Sequence, residues 1–324
     1  MIARTDQLSR RTFIAGGAAL GVALSACSKQ QSSFRMQASW VNDAEFMGYF
    51  VALTNGYYRD VGLALDYKPG GPEVTPEVEL LSRKADLGLT TVESTVNLII
   101  KEKAPLKIIG TQYQKSPLGI VSLAKSGIKE PKDLVGRTLA VPAANTLTVD
   151  ALLRINGVDK KKVKIVPYQY DPKPLVSGEV DATIDFTTNV PYSIKQAGAE
   201  PFSFLLYDFG FKVFNDTVVV TDETLRQRRS EIVNWIRASR RGWDENFGDP
   251  AKYPPLFRDS YFKGSGRTIE NEVYFNRAQM PLIQHPTGIF SMSDDAVREN
   301  IETLKGIGVA ASREMFVTDL ARSA

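Results

Sequence analysis

The sequence predicts an α/β protein of two lobes joined by two crossings of the chain. Three observations predict it. With 324 residues, 43% hydrophobic and 24% charged, the chain is long enough for two compact domains and ordinary in composition. Strand-like runs alternate with helical segments of crossover length over residues 63–111 and again over 137–196, the pattern of parallel sheets with connecting helices. Two more strand-like runs, 118–124 and 214–221, stand where the chain leaves the first unit and returns to it. The predicted organisation is a signal over 1–27, a linker over 28–33, a first lobe from 34–117 and 222–324, and a second lobe with the hinge strands over 118–221.

Residues 34–41 alternate apolar and polar side chains as a half-buried strand does, and Asn42-Asp43 break the alternation where a helix is capped. The helix over 46–57 carries apolar residues on more than one face: Phe46, Met47, Tyr49, Phe50, Val51 and Leu53 surround Gly48. A surplus of aromatics beside a glycine suits a flat ring ligand, with Trp40, Phe46 and Tyr49 as its wall. The alternative is a wholly buried helix with Gly48 as a point of close packing. Strand 63–68, helix 74–82, strand 85–90, helix 92–101 and strand 106–111 follow. Ligands of such sheets sit beyond the carboxyl ends of the strands, so the loops at 42–45, 69–72, 90–94 and 111–117 hold the candidate residues. Pro69-Gly70-Gly71-Pro72 reads as a turn whose N–H groups an anion can also use. Glu93 reads either as a carboxylate favoured by the positive end of its helix or as an acceptor for a ligand amino group. Tyr113 offers a further ring, and Ser116 follows it.

The second alternation runs strand 137–141, helix 148–155, strand 162–168, helix 174–177, strand 181–186 and helix 190–196. Its strand-to-helix loops hold Asn145 and Asn189, each of which can cap the following helix or bond a ligand edge. A long amphipathic helix over 223–247 (Leu225, Ile232, Trp235, Ile236, Trp243) and helices over 268–282 and 294–306 are expected to pack back on the first lobe. The loop over 263–268 lacks the Gly-Lys-Ser/Thr ending of a P-loop and is not a nucleotide site.

The formal charge is +3, and setting aside Arg4, Arg10, Arg11 and Asp6 leaves 37 basic against 36 acidic groups. That balance argues against a nucleic-acid partner. Ser9-Arg10-Arg11-Thr12-Phe13-Ile14 is a twin-arginine pattern, followed by an apolar run too short to span a bilayer. The run ends in Leu24-Ser25-Ala26-Cys27, which resembles a bacterial lipoprotein box with Cys27 as the acylated first mature residue. Cys27 is the only cysteine, so the domain beyond it has no disulfide, thiol nucleophile or Cys-based zinc site. The expected address is outside the cytoplasm, on a membrane surface, after twin-arginine export.

Trp40, Phe46, Gly48, Tyr49, Phe50, Val51 and Ala52, followed by Gly56, Tyr57, Tyr58, Gly62 and Leu63, resemble the opening of the periplasmic solute-binding proteins of ABC importers in the sulfonate, nitrate and thiamine-precursor group. The likeness continues, more weakly, to about Leu225. It implies a type 2 periplasmic-binding fold that closes on a ligand and then engages a membrane permease, without catalysis and without a cofactor. Such proteins place Asn or Glu before the proline of the loop before 191, facing the cleft, which carries over to Asn189 and only loosely to Asp185. Sulfonate and nitrate binders need cationic pockets, and Lys115 is the only base in the first-lobe loops. The rings and Glu93 therefore favour a thiamine pyrimidine precursor, formylaminopyrimidine or hydroxymethylpyrimidine, with riboflavin as the alternative that Pro-Gly-Gly-Pro also resembles. Relatives of this fold that synthesise the thiamine pyrimidine use an iron-binding cysteine-rich motif and a histidine. This chain has one histidine, His285, in a predicted turn, and no such motif.

Overall fold

The computed structural model describes residues 31–324, with the side chain of residue 144 left aside. The twin-arginine pattern and Cys27 lie outside the described residues. Residues 32 and 33, expected in the linker, already belong to the first strand.

The first sheet contains β1 (Ser32–Gln37), β2 (Leu63–Lys68), β3 (Leu87–Thr90), β4 (Leu106–Tyr113) and β10 (Asn215–Thr221), in the order β2-β1-β3-β10-β4. The second contains β5 (Leu118–Leu123), β6 (Thr138–Val141), β7 (Lys164–Pro167), β8 (Ala182–Phe186) and β9 (Pro201–Leu205), in the order β7-β6-β8-β5-β9. Neither sheet is wholly parallel, as the alternation had suggested. In the first, β10 runs antiparallel to both β3 and β4, and in the second β5 runs antiparallel to both β8 and β9. The reason lies in the crossings. Each of these strands arrives directly from the other sheet, over residues 114–117 and 206–214, and so starts at the end where its neighbours finish. Hence the carboxyl ends of the remaining strands of both sheets face one seam, which is where the connecting loops gather. β10 sits inside the first sheet, so the sequence-derived boundary at 221 runs past the point where the chain has already returned.

The helices are α1 (Met47–Thr54), α2 (Tyr57–Asp60), α3 (Pro76–Leu81), α4 (Val92–Lys101), α5 (Thr146–Ile155), α6 (Lys173–Ser177), α7 (Val190–Gln196), α8 (Asp222–Gln227), α9 (Arg229–Gly248), α10 (Ile269–Ile283) and α11 (Asp294–Gly306). The helix predicted over 46–57 is broken: Gly56 takes φ +76°, which glycine adopts at no steric cost, and α2 starts afresh beyond it. The helix predicted over 223–247 is likewise split at Arg228. β9 was not anticipated. It is an edge strand opened by Pro201, a position where a missing N–H costs no ladder bond.

α1 and α9 form the centre of the first half. A Cβ on Gly48 would lie 2.2 Å from the Trp243 ring, and one on Gly242 would lie 2.0 Å from the Gly48 carbonyl oxygen, so the helices meet through two glycines. Trp235, Trp243, Phe46, Tyr49 and Phe50 are all fully buried there. Gly48 is thus a close-packing point, and the space beside it belongs to Trp243. A second apolar cluster runs from Val92 and Ile108 through Phe214 to Leu139, Leu152 and, on α11, Val297 and Leu304. α11 therefore touches both sheets' surroundings: the Phe214 N–H donates to Asn300 Oδ1 at 2.9 Å, and Lys212 pairs with Glu299 at 2.8 Å.

Candidate functional site

Three aromatic pairs span the seam. Trp40, after β1, meets Tyr170, after β7, with ring centroids 6.0 Å apart. Tyr113, at the end of β4, stands edge-on to Phe186, at the end of β8, at 6.5 Å. Tyr192 on α7 meets Tyr274 on α10 at 5.4 Å, beside an open groove of about 630 Å³ lined also by Ile269, Val273 and Arg277. The Trp40 loop is held by the glycine turn: Gly70 donates to the Trp40 carbonyl at 2.7 Å, and a Cβ at Gly70 would strike the Ala38 carbonyl oxygen at 2.4 Å. Pro-Gly-Gly-Pro is thus a brace for Trp40.

The residues singled out from sequence divide into two groups. Trp40 is half-buried at the seam. Asn189 is there too, on the loop that Thr187 ties to the Pro117 carbonyl at 3.0 Å; its side chain caps nothing, and its Oδ1 is buried without a partner. Asn145 makes no cap bond either, while the Thr146 hydroxyl donates to Ala143. Tyr49 and Phe46 face the core. Tyr49 stacks on Trp235 at 5.7 Å, and its hydroxyl donates to Gln112 Oε1 at 2.8 Å, because two tryptophans from α9 fill the space a ligand ring was expected to take. Phe46 packs against Phe50 and Tyr67. Tyr113 is fully buried, with its hydroxyl donating to Gln279 at 2.6 Å, so only its edge toward Phe186 belongs to the seam. Ser116 ties the crossings together through its N–H to the Val213 carbonyl at 3.2 Å. Glu93, in the first turn of α4, is held up to about 7 by burial, with no charged neighbour to steady it. The end of β3 and α4 are joined by Glu77, whose Oε1 accepts from Thr90 and Thr95 at 2.8 and 3.0 Å.

The electrostatics of the seam were not visible in the sequence. Arg267, from the loop dismissed as a P-loop, pairs with buried Asp43. Glu272 accepts from the Ala44 N–H at 2.8 Å and leaves Oε1 without a partner. Asp216 accepts from the Ser39 hydroxyl at 2.7 Å. Burial, followed by the neighbouring Asp216, holds Glu45 well above the carboxylate range, and burial raises Asp216 as well. Both shifts oppose ionisation of the two carboxyls together. Burial and nearby Asp43 push Glu272 up to about 7. On the second half, burial lifts Asp185 to about 6, and Arg267 is near enough to pull it back down in part. The only cation among these groups is committed to Asp43. Among the described residues, no cluster of His, Cys, Asp or Glu is arranged to hold a metal ion, and no helix is long and apolar enough to cross a membrane. His285 lies in the turn after α10, its Nδ1 bonded to the Thr287 hydroxyl at 2.9 Å.

Comparison with known proteins gives consistent relatives. Residues 43–253 match the family model described as NMT1/THI5 like. The chain is 25% identical over 212 residues to the formylaminopyrimidine-binding protein of Halalkalibacterium halodurans, covering 63% of each chain. It is 22% identical over 222 residues to the riboflavin-binding protein RibY of Chloroflexus aurantiacus, covering 65% of this chain and 62% of that one. A third relative, 24% identical over 231 residues and covering 67% and 70%, is the 4-amino-5-hydroxymethyl-2-methylpyrimidine phosphate synthase of Legionella pneumophila. The matches to the first two span just over three fifths of those relatives' length. Among solved structures, the periplasmic aliphatic sulphonate binding protein SsuA of Escherichia coli superposes with a TM-score of 0.68 at 13% identity, covering 90% of this chain and 99% of that one. The fold is that of the periplasmic binding proteins.

Proposed function

Since the chain belongs to the NMT1/THI5-like family, we propose that it is the substrate-binding component of an ABC importer, exported by the twin-arginine route and held outside the cytoplasm through Cys27, that captures a flat nitrogen heterocycle. A thiamine pyrimidine precursor is the ligand the site fits best. The observation that carries this reading is the Trp40–Tyr170 pair, one ring from each half, closed on itself at 6.0 Å. Carbon atoms pack at about 3.5–4.0 Å, so a ring between two parallel ones needs roughly 7–8 Å; the two rings are inclined at 56°, so admitting a ligand requires the halves to part by about 1–2 Å and the rings to turn toward parallel. Each stacked face contributes about 0.5–1.5 kcal/mol beyond burial. Ligand capture would then fix the halves together, and the closed form is what a permease distinguishes.

The charge of the seam supports a ligand that donates hydrogen bonds. Asp43, Glu45 and Glu272 lie near Arg267, which is committed to Asp43, and Asp185 and Asp216 add further carboxyls, so these groups offer acceptors for N–H groups and no free cation for a sulfonate or nitrate. The likeness to RibY favours riboflavin as the second reading, since an isoalloxazine presents the same kind of edge on a larger ring system. Enzymatic pyrimidine synthesis, the activity in the name of the third relative, finds neither the cysteines nor a seam histidine here.

The test is tryptophan fluorescence titration of the purified protein and of its Trp40→Ala and Tyr170→Ala variants. The reading expects saturable quenching by a pyrimidine precursor and about a tenfold loss of affinity in each variant. Unchanged affinity in both, with the folds intact, would remove the clamp.

A further inference from the structure

The second half carries a set of polar groups that the fold does not use. Thr183 and Asp185 alternate on β8 and so face the same side of the sheet, and Thr183 pairs across the ladder with Ala140 of β6, whose small side chain leaves room beside it. Tyr168 follows β7 on the other flank, its N–H bonded to Val141 of β6. Tyr168 is 5% exposed and Thr183 not at all, yet neither hydroxyl has a hydrogen-bond partner. Buried hydroxyls are nearly always paired, so two orphans side by side mark a place where a partner is missing. Asp185 uses one oxygen to accept the Phe186 N–H at 2.7 Å, and Tyr168 stands close enough to steady its charge. Asp185 and Tyr168 lie at the carboxyl ends of β8 and β7, where the seam runs, and Thr183 lies deeper, two residues back along β8.

The only step between them and the ring clamp is Tyr170. Its ring is 5.7 Å from Tyr168 on one side and 6.0 Å from Trp40 on the other. It is half exposed and is held at φ +59°, a left-handed conformation that a bulky L-residue rarely adopts, which fixes its ring between Tyr168 and Trp40.

We propose that Asp185, Tyr168 and Thr183 form a hydrogen-bonding subsite for the polar edge of the ligand, beside the face that Tyr170 contributes to the clamp. Asp185 accepts from an N–H, and the Tyr168 hydroxyl donates to the adjacent ring nitrogen or carbonyl oxygen, with Thr183 completing the set. The ligand class is a planar heterocycle with neighbouring donor and acceptor, which the amino edge of an aminopyrimidine and the imide edge of a flavin both present. This inference rests on the function proposed above and adds to it a place for the edge of the ring.

The experiment measures affinity of the full protein for 4-amino-5-hydroxymethyl-2-methylpyrimidine, for its analogue lacking the 4-amino group, and for riboflavin. It compares the parent with Tyr168→Phe, Asp185→Asn and Trp40→Ala. Whichever of the two natural ligands binds the parent identifies the source of the edge. Tyr168→Phe and Asp185→Asn should each weaken that ligand by about five- to a hundredfold. For a pyrimidine, Asp185→Asn should change the deaminated analogue far less, because the group it would have paired with is gone. Thermal unfolding of Tyr168→Phe should shift little, since its hydroxyl makes no well-formed hydrogen bond and only steadies Asp185 from nearby; a clear loss of stability would give that hydroxyl a structural role and overturn the subsite. Parent-like affinity in Tyr168→Phe and Asp185→Asn, with Trp40→Ala impaired, would overturn the subsite and leave the clamp standing. A parent that binds neither heterocycle would overturn the functional reading and the subsite with it.

Discussion

Replacing Gly48 with alanine should destabilise the protein, although alanine is the better helix former. In the interior of α1 the exchange gains about 1 kcal/mol of helix propensity. Against this, the new Cβ would stand 2.2 Å from two ring atoms of Trp243 and 2.4 Å from a third, where carbon contacts normally begin near 3.5 Å. Trp243 has nowhere to retreat. It is fully buried, with Tyr49 edge-on at 5.9 Å and Phe247 at 5.4 Å, and the opposite helix approaches through Gly242. Overpacking of a rigid core costs about 1–3 kcal/mol and more where backbones must part, so we expect a net loss of about 1–2 kcal/mol. For a chain of this size that is a fall of roughly 2–3 °C in melting temperature. Urea unfolding followed by tryptophan fluorescence reads it directly, since two of the three tryptophans lie at this contact. A Gly48→Ala variant as stable as the parent, or more so, would refute the close approach and return Gly48 to the cleft wall.

Tyr49→Phe should cost about 1–3 kcal/mol by orphaning Gln112 Oε1 while leaving ligand affinity unchanged; lost affinity at constant stability would put Tyr49 back in the site. Arg267→Met should destabilise by about 3–5 kcal/mol at neutral pH, because it strands Asp43 as an unpaired buried charge, and equal denaturation midpoints would contradict the pairing. Glu272, raised to about 7, binds its proton more readily folded than unfolded, so its contribution is complete below about pH 4.5 and is lost as pH rises through 7. That amounts to about 3 kcal/mol, and Glu272→Gln should lose correspondingly less stability than the parent between pH 5 and pH 8 in paired urea titrations. Identical losses would show that Glu272 does not carry this proton.

What the sequence reveals here is local. Helices at 92–101, 190–196 and 294–306 were legible to the residue because a clear period coincided with a start signal, as at Thr91 and Ser293, whose side chains do accept the capping N–H bonds. Strand alternation gave the two sheets but not the antiparallel strand in each, which follows from where the crossings enter. Of the aromatic residues after β1, Trp40 reaches the seam while Phe46 and Tyr49 enter the core. Which of them enter the core depends on Trp235 and Trp243, nearly two hundred residues away, and a periodicity read within one helix contains no such information. Arg267 and Asp43 are 224 positions apart, so the charge of the seam exists only once the chain has returned to the first sheet. Tyr170 was missed for a different reason: a tyrosine with positive φ has no signature in composition or period.

Calorimetric titration of the purified protein with hydroxymethylpyrimidine, formylaminopyrimidine, riboflavin and an alkanesulfonate tests the central claim most directly. The account predicts saturable one-to-one binding of a heterocycle, lost in Trp40→Ala, and no heat from the sulfonate. Binding of the sulfonate alone, unaffected by Trp40→Ala, would contradict both the aromatic clamp and the acidic character assigned to the seam.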